Sequence, residues 1–412
     1  MTAIVRFLRD AEWADRTRIR NYLILIALGQ TVALTALIII ARSGVDPRGE
    51  PLGTDFVSFW TAGKLALAHR PEAIYSPEAH HAAERAFFGH PIGWYAFFYP
   101  PIFILACLPL GALPYLAALA VWLTSTFAAL FAALRALSPR FAHPLILAAF
   151  PAVFGNIGHG QNAFLSAALF AGGVACLDRR PWLAGVLFGA LSFKPQLAAV
   201  VPIALLVTGR WRTLASMAST ATALALLTLP LFGWETWRAF LNETPLARET
   251  LERGLVDPAK MQSVFSAIRV LGGGVPLAWA AQGAASLSAL AGLVYVLRHT
   301  RDGRRLGALA ACAACLATPF LLDYDLTLLI VPIAVVFDEA MEGGFAPYEK
   351  TTLFAAYLLA GFARPLAEYA HLPLTPIIVS ALMVIVARRC LAETAPVKLA
   401  SPAVCEPDAL PA

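Results

Sequence analysis

Long apolar segments recur along the chain and are the feature that most constrains its fold. The first runs from Tyr22 to Ala41 without a charged residue. A helix needs about 20 such residues to cross a bilayer, because each residue advances it by about 1.5 Å. Charged residues make up 14% of the chain, well below the roughly 25% of soluble domains. The pattern predicts an all-α polytopic membrane protein with about 12 transmembrane helices.

Basic residues predict which side of the membrane each end of the chain occupies. Five arginines precede the first apolar segment, and further basic groups lie at 178–180, 210–212, 298–305 and 388–389. Because arginine and lysine accumulate in cytoplasmic loops, both termini are predicted to be cytoplasmic. The first apolar segment is too long for a signal-peptide core and is interpreted as an uncleaved helix. A multi-pass protein of the cell inner (plasma) membrane is expected.

These signals divide the chain into three predicted parts. Residues 1–21 form a cytoplasmic N-terminal segment, 22–390 a transmembrane domain and 391–412 a disordered cytoplasmic tail. The domain has large outer loops at about 42–98 and 233–274. The formal charge of +5 follows from the cytoplasmic basic groups, so it gives no reason to expect a nucleic-acid partner.

The stretch 100–136 is ambiguous in this scheme. Its centre carries Pro109, Gly111 and Pro114, which are typical of a turn or a kink. Arg135 lies at its far end and indicates the cytoplasm. An odd number of crossings is then required, which favours one broken span over a hairpin.

The first outer loop contains a predicted helix at residues 53–64. Phe56, Phe59, Trp60 and Gly63 recur there at helical spacing, which is typical of an amphipathic helix on a membrane surface. A second amphipathic helix is predicted near 76–89.

Asp55 stands at the head of the first of these helices. Its carboxylate could accept a proton from a hydroxyl, and a low-dielectric surface would raise its pKa for general-base work. An equally ordinary role is the N-cap of the helix, a position that aspartate favours.

Single charged residues at the outer ends of predicted spans are the other candidates for a site. They are Asp55, Lys194, Asp323, Asp325 and Arg364. Charges at membrane depth are costly and usually face a cavity or one another, so these residues are expected to converge on one extracytoplasmic site. Lys194 could hold a phosphate as a point charge, or extend its ammonium to the lipid headgroups.

Two further stretches carry polar residues between apolar segments. Residues 155–162 combine three glycines with amide side chains and predict either a sugar-binding loop or a tight turn. The pair Asp323 and Asp325 predicts an acceptor or metal site, or residues at the membrane boundary. The C-x-x-C of Cys312 and Cys315 lacks nearby histidines and is interpreted as packing rather than as a zinc or redox site.

Five segments together resemble glycosyltransferase family 87 of the GT-C superfamily. They are TDFVSFWTAGK, FYPPIFILACLPLGALPY, GNIGHGQNAFL, AGVLFGALSFKPQL and TPFLLDYDLTLL, in that order between about residues 20 and 390. The resemblance implies the GT-C type of fold, a polyprenyl-phosphate sugar donor and an inverting transfer on the outer face. It also implies an aspartate base in the first outer loop, which corresponds to Asp55, and no nucleotide-sugar site, bound metal or other cofactor.

With this resemblance, each candidate acquires a predicted role. Asp55 is the catalytic base, and Lys194 and Arg364 bind the donor phosphate. The residues predicted to bind the sugar or the acceptor are Tyr99, Asn156, His159, Gln161, Asn162, Asp323 and Asp325. The family's mannosyltransferases often have a histidine-rich segment where this chain reads LLDYD, so the hexose, mannose or another, stays open.

The predicted partners are the lipid-linked donor, a lipid or glycan acceptor and membrane lipids. A transporter or lipid flippase is the alternative class, since helices broken by proline and glycine and charges within the membrane suit it too. That class commonly shows an internal repeat, and no convincing repeat is visible in the sequence.

Overall fold

The computed structural model describes residues 2–41, 44–89 and 91–392. Within these ranges the chain forms helices and no β-strand, with two isolated bridges, so the prediction of an all-helical chain is confirmed. The α-helices are α1 (Ala3–Asp10), α2 (Arg16–Ile40), α3 (Phe56–Leu67), α4 (Pro77–Phe88), α5 (Ile104–Gly111), α6 (Tyr115–Leu137), α7 (Pro144–Ala149), α8 (Pro151–His159), α9 (Ala163–Cys176), α10 (Pro181–Ala190), α11 (Pro195–Ala198), α12 (Val200–Val207), α13 (Trp211–Phe232), α14 (Trp234–Arg253), α15 (Val264–Val270), α16 (Val275–Leu297), α17 (Gly303–Ala317), α18 (Ile330–Gly343), α19 (Glu349–Ala370) and α20 (Thr375–Ala392). Short 3-10 segments lie at Pro71–Tyr75, Pro101–Phe103, Leu191–Phe193 and Asp323–Leu329.

Five of the described helices, α2, α6, α13, α16 and α20, are long and apolar enough to cross a membrane. Shorter apolar helices pack between them, among them α9 and the α10 region. The chain is therefore a helical membrane protein, and the total of about 12 crossings stays a prediction. Leu391 and Ala392 close α20, and the rest of the predicted tail lies outside the described residues.

Helix α6 connects two chemically different ends of the molecule. At its start, the Tyr115 hydroxyl donates to the carbonyl of Leu52 at 2.6 Å, beside Asp55. Its 23 residues extend about 34 Å to the loop where Arg140 is ion-paired with Glu342 at 2.7 Å. We call the end of the molecule at Tyr115 the Asp55 end and the end at Arg140 the arginine end.

The basic groups of the sequence gather at the arginine end. Arg210 is 2.6 Å from Asp178 and donates to the carbonyl of Arg301 at 2.7 Å. Arg304 pairs with Asp338 at 2.7 Å. Asp338 lies on α18, the helix that also carries Glu342. Their location at one end agrees with the positive-inside pattern from which the topology was predicted.

The helix predicted on the membrane surface is buried instead. Ten of the 12 residues of α3 are buried, and only Lys64 and Leu67 are exposed. Gly63 lies so close to α5 that an added Cβ would be 2.2 Å from the carbonyl oxygen of Cys107. The helical spacing of large residues identified one apolar face, but Ser58 and Thr61 on the other side are small and are covered as well. The surface interpretation of α3 was therefore wrong.

The second predicted helix of this loop is present as α4. Ser76 caps it, because its hydroxyl accepts a hydrogen bond from the backbone N–H of Ala79 at 3.3 Å. Pro77 occupies the first helical position, where its missing N–H is harmless.

The ambiguous stretch 100–136 contains one long helix and one short one. Helix α5 has eight residues, about 12 Å, and is too short to cross a bilayer. Just before it, Phe103 stacks on Phe193 with ring centroids 4.8 Å apart. Just after it, the carbonyl of Leu113 accepts from the Trp60 indole N–H at 3.0 Å. Both ends of α5 thus lie near the Asp55 end, which leaves α6 as the candidate span of this stretch.

The predicted loop at 155–162 is largely helical. Helix α8 continues to His159 and ends at Gly160, whose φ of +63° favours glycine. A Cβ at this position would also lie 2.6 Å from Cβ of Phe56. Only residues 160–162 form the turn into α9, so the interpretation of the whole stretch as a loop was wrong.

Candidate active site

A cavity of about 410 Å³ lies at the Asp55 end, within the size range of small-molecule sites. It is lined by segments that are far apart in the chain. The first half of the chain contributes Asp55, Ser58, Trp94–Ala96, Phe98–Pro100, Gln161 and Phe193–Gln196. Helix α14 and the residues after it contribute Phe240, Ala247, Thr250, Leu251, Leu255, Val256, Lys260 and Met261. Phe320, Leu322 and Tyr324 complete the lining. Four predicted site residues line this cavity, namely Asp55, Tyr99, Gln161 and Lys194.

Asp55 precedes α3 but does not cap it with its side chain. Its carboxylate oxygen Oδ2 accepts a hydrogen bond from the Gln161 amide Nε2 at 3.0 Å. The Lys260 ammonium lies 3.4 Å from the same oxygen. The capping role considered for Asp55 is therefore not the one it has, and the carboxylate faces the cavity with 17% of its side chain exposed.

The surroundings of Asp55 keep its carboxylate ionised. Burial raises its pKa, but the nearby Lys260 ammonium, His159 and the Gln161 hydrogen bond together lower it further, so the pKa lies below its ordinary value of 3.8. The expectation of a raised pKa was wrong, because it took account of the low-dielectric surface and not of the neighbouring cation. An ionised carboxylate is the form that a general base requires.

Gln161 connects Asp55 to the aromatic wall of the cavity. Its Oε1 accepts from the Tyr99 hydroxyl at 3.2 Å and from the backbone N–H of Asn162 at 3.1 Å. Two donors on Oε1 fix the amide orientation, so that Nε2 points to Asp55. Tyr99 and Gln161 therefore hold the carboxylate in place.

Lys194 is buried and ion-paired. Its side chain is 2% exposed, and that of its partner Asp325 is fully buried. The Lys194 ammonium also donates to Oδ1 of Asn162 at 2.8 Å and lies 5.3 Å from the centre of the Tyr324 ring. Because the charge is compensated inside the protein, the alternative of a lysine that extends to the lipid headgroups was wrong. Asp325 likewise lies in the core and not at the membrane boundary.

Asn156 and Asn162 are buried beside this pair and do not line the cavity. Oδ1 of Asn156 accepts from the backbone N–H of Ala163 at 3.1 Å, which joins the end of α8 to the start of α9. Oδ1 of Asn162 accepts from Lys194 at 2.8 Å. These bonds make both amides part of the framework of the site.

His159, Asp323 and Arg364 form an outer group next to the cavity. His159 Nδ1 is 3.1 Å from the Thr54 hydroxyl, and its ring lies beside Tyr324. Burial raises the pKa of Asp323, and nearby positive charges, including Arg364, only partly offset this. Arg364 itself is paired with Glu368 at 3.5 Å and is about one-third exposed.

Lys260 is the cavity residue that the sequence analysis missed. It lies between α14 and α15, in a segment that pairs with the residues at the start of the last 3-10 segment, Asp323–Leu329. Its carbonyl accepts from the N–H of Asp323 at 3.1 Å, and Gln262 N–H donates to Leu321 at 2.6 Å. Lys260 is the one lysine of the predicted outer loop at 233–274, but that loop also carries four arginines, so charge alone did not single it out. It was overlooked because it does not border a predicted span.

The expected convergence of charges is confirmed for Asp55, Lys194 and Asp325, while Arg364 lies at the periphery. Within the described ranges, no group of three or more His, Cys, Asp or Glu side chains is arranged to hold a metal ion. Cys312 and Cys315 are buried in α17 as free thiols among apolar residues.

Comparison with known proteins gives one family match. The family model for glycosyltransferase family 87 matches residues 97–319, which is more than half of the 412-residue chain. This span includes Tyr99, Gln161, Lys194 and Lys260 and ends just before Asp325; Asp55 precedes it. No curated protein and no solved structure matches the chain.

Proposed function

The chain belongs to glycosyltransferase family 87 and is a membrane glycosyltransferase, and from this premise we propose that it uses a polyprenyl-phosphate sugar donor. The transferred sugar is a hexose, with mannose as one candidate. The acceptor is a hydroxyl of a lipid or glycan at the extracytoplasmic face of the cell inner membrane. The observation that carries the proposal is the Asp55 carboxylate, which shares one cavity with the side chains of Lys194 and Lys260.

In this reaction Asp55 is the general base and the transfer inverts the anomeric carbon. The acceptor hydroxyl gives its proton to Asp55 as its oxygen forms a bond to that carbon. The bond from the carbon to the phosphate oxygen breaks, and the polyprenyl phosphate leaves with the electron pair. Gln161 and Tyr99 support the step because their hydrogen bonds fix where the carboxylate points.

The donor phosphate requires positive charge on the opposite side of the sugar. Lys194 is proposed to supply it from the cavity wall, although Asp325 compensates part of its charge. Arg364 has the weaker geometric support, since it pairs with Glu368 outside the cavity lining.

The sugar and the acceptor are proposed to contact Tyr99 and Gln161 directly, because both line the cavity. The other residues predicted to bind them, His159, Asn156, Asn162, Asp323 and Asp325, surround this lining and position it. That assignment follows from their hydrogen bonds within the protein.

Helix α14 offers an apolar path for the polyprenyl chain. Phe240, Ala247 and Leu251 of this helix line the cavity, while Trp234 and Leu241 are more than half exposed. Exposed tryptophan and leucine suit the membrane interface, so a lipid-linked donor could enter sideways past α14. A water-soluble nucleotide sugar would have no use for such a wall.

The transporter or flippase alternative is not favoured, because the family is one of glycosyltransferases.

The test is transfer by the purified protein in nanodiscs. A panel of polyprenyl-phosphate hexoses is supplied with a lipid extract as acceptor, and both released polyprenyl phosphate and glycosylated acceptor are measured. We expect the two products to appear in equal amounts from one of the lipid donors. Transfer from nucleotide sugars alone would contradict the donor class, and retention of the anomeric configuration would contradict the role of Asp55.

A further inference from the structure

The contact between Lys260 and Asp55 joins the proposed base to a cation that can leave it. The two charged atoms are 3.4 Å apart, and both side chains are partly exposed to the cavity, at 20% and 17%. This is a loose ion pair, unlike the fully buried pair of Lys194 with Asp325. Partly exposed ion pairs contribute little to stability, so breaking this one costs little.

Lys194 is held by Asp325 and Asn162, which leaves Lys260 as the less committed cation. Lys194 and Lys260 are the two lysines that line the cavity, and the described lining includes no arginine. A phosphate that enters therefore meets one ammonium that is compensated from behind and one whose carboxylate partner, among the described residues, is the base itself. The second can exchange that partner for the phosphate.

The reaction geometry prevents Lys260 from serving both groups at once. In an inverting displacement the base and the leaving phosphate lie on opposite sides of the reacting carbon, with the attacking oxygen about 3 Å from it. The sugar therefore stands between them. An ammonium held against Oδ2 of Asp55 competes with the acceptor hydroxyl for the charge of the carboxylate, and in that position it does not touch the phosphate.

We propose that Lys260 is a donor-responsive switch: it pairs with Asp55 in the empty enzyme and moves to the donor phosphate when the lipid-linked sugar binds. This inference rests on the proposed function, because it assumes a phosphate-bearing donor. Donor binding frees Asp55 for the acceptor hydroxyl, so the donor binds first. As the carbon–oxygen bond breaks, the ammonium stabilises the negative charge that develops on the leaving phosphate.

The structure restricts this movement to the Lys260 side chain. Its backbone is bonded to Asp323, and the bridge between Met261 and Leu322 fixes the residues beside it. Four methylene groups give the ammonium room to swing. The Tyr324 ring lies along the way, with its centre 5.9 Å from the Lys260 ammonium and 5.3 Å from that of Lys194. An aromatic face attracts a cation at this distance and keeps it within the cavity.

The test measures binding of unglycosylated polyprenyl phosphate to the purified protein in nanodiscs, with no transfer required. K260Q should bind it about tenfold more weakly, which corresponds to about 1.4 kcal/mol, and K260R should retain most of the affinity. R238Q is the matched control, since it removes one exposed positive charge from the same outer loop and should bind normally. Phosphatidylglycerol, an anionic membrane lipid, is the comparison ligand, and its binding should not depend on Lys260.

Asp55→Asn distinguishes the switch from a merely structural role for Lys260. Loss of the competing carboxylate should tighten polyprenyl phosphate binding about two- to fivefold, the range expected for a partly exposed ion pair. In the K260Q background the same change should have no effect. An equal effect in both backgrounds would overturn the switch. This double-mutant cycle requires that all four proteins fold, which thermal unfolding verifies. If K260Q fails to fold, the comparison of wild type with D55N still tests whether the carboxylate competes with the phosphate.

The remaining outcomes separate this inference from the proposed function. Binding that is equal in wild type and K260Q overturns the role of Lys260 and leaves the transferase proposal intact. Binding that depends on Lys260, with no transfer from any lipid donor, contradicts the proposed reaction and keeps the phosphate site. No binding by the wild type overturns both.

Discussion

The two ends of the molecule carry charged residues in different arrangements. At the arginine end acids and bases share partners: Asp338 is 2.7 Å from Arg304 and 3.6 Å from Arg140. Arg389 likewise pairs with Glu349 and also approaches Glu339. At the Asp55 end each ammonium has one carboxylate, as in the pairs of Lys194 with Asp325 and Lys260 with Asp55.

This difference decides what the loss of a single charge does to the stability of the fold. Where several partners surround an acid, loss of one leaves the others, and exposed pairs contribute little individually. Where a buried charge has one partner, its loss leaves a charge uncompensated at high cost. Charges at the arginine end should therefore tolerate replacement one at a time, whereas the fully buried pair of Lys194 with Asp325 should not tolerate the loss of one partner.

The largest effect is expected for Asp55→Asn. Asparagine keeps the shape of the side chain but cannot accept the acceptor's proton, so the transfer rate should fall about a thousandfold, in the range for loss of a general base. Thermal unfolding should be unchanged, because Asp55 does not cap α3. E235Q, which removes an exposed outer-loop carboxylate, is the control and should retain full rate. A rate for D55N near that of wild type would remove Asp55 from the chemistry.

The next effect concerns stability. Lys194→Met leaves Asp325 buried without its counter-ion, which should destabilise the protein by about 3–5 kcal/mol. Replacing both partners, as K194M with D325L, should recover much of this loss. The measurement is unfolding in detergent for the two single variants and the double variant. Equal destabilisation in the single and double variants would show that the pair does not behave as a unit.

A smaller effect is expected in the pH dependence of K260Q. Although burial raises it, the pKa of Asp55 lies below its ordinary value of 3.8, mainly because of the nearby Lys260 charge, so wild-type kcat/KM should hold steady on acidification to that value. Without the Lys260 charge the pKa of Asp55 rises, and kcat/KM should fall at a higher pH as the medium is acidified.

The same variant tests the switch through kcat. The pH dependence of kcat/KM reports the free enzyme and that of kcat the enzyme–substrate complex. Since Lys260 is proposed to have left Asp55 once the donor is bound, K260Q should leave the acid limb of kcat where it is in wild type. A parallel shift of both limbs would mean that Lys260 stays at Asp55 throughout the reaction.

The smallest effect is expected at the arginine end. Arg140→Gln removes a half-exposed guanidinium, while Arg304 still neutralises Asp338. Unfolding temperature and transfer rate should both equal those of wild type within error. A loss comparable to that of K194M would remove the distinction between the two ends.

The sequence predicted best what depends on local chemistry. Helix α4 was found because its amphipathic spacing is read from neighbouring residues. The long apolar helices follow from composition, and the arginine groups indicated one common end. The convergence of Asp55, Lys194 and Asp325 was predicted because isolated charges in apolar surroundings require partners.

What the sequence did not reveal depends on contacts between distant segments. Helix α3 has the spacing of a surface helix, and only its packing against α5 at Gly63 shows that it is buried. Lys260 joins the site through the pairing of Met261 with Leu322, which no local pattern indicates. The pKa of Asp55 was misjudged for the same reason, since its direction depends on that lysine.

The close contact of Gly63 with Gly111, where an added Cβ on Gly111 would lie 2.4 Å from the backbone of Gly63, has a consequence for how such an enzyme can diversify. In the proposed reaction the base stands at the head of a helix in which even one extra methyl group at this contact has no space. Trp94 and the α14 residues Phe240 and Ala247 line the same cavity and are not fully buried. Under that proposal, substitutions that change the sugar or the acceptor should be tolerated at these positions and not at Gly63 or Gly111.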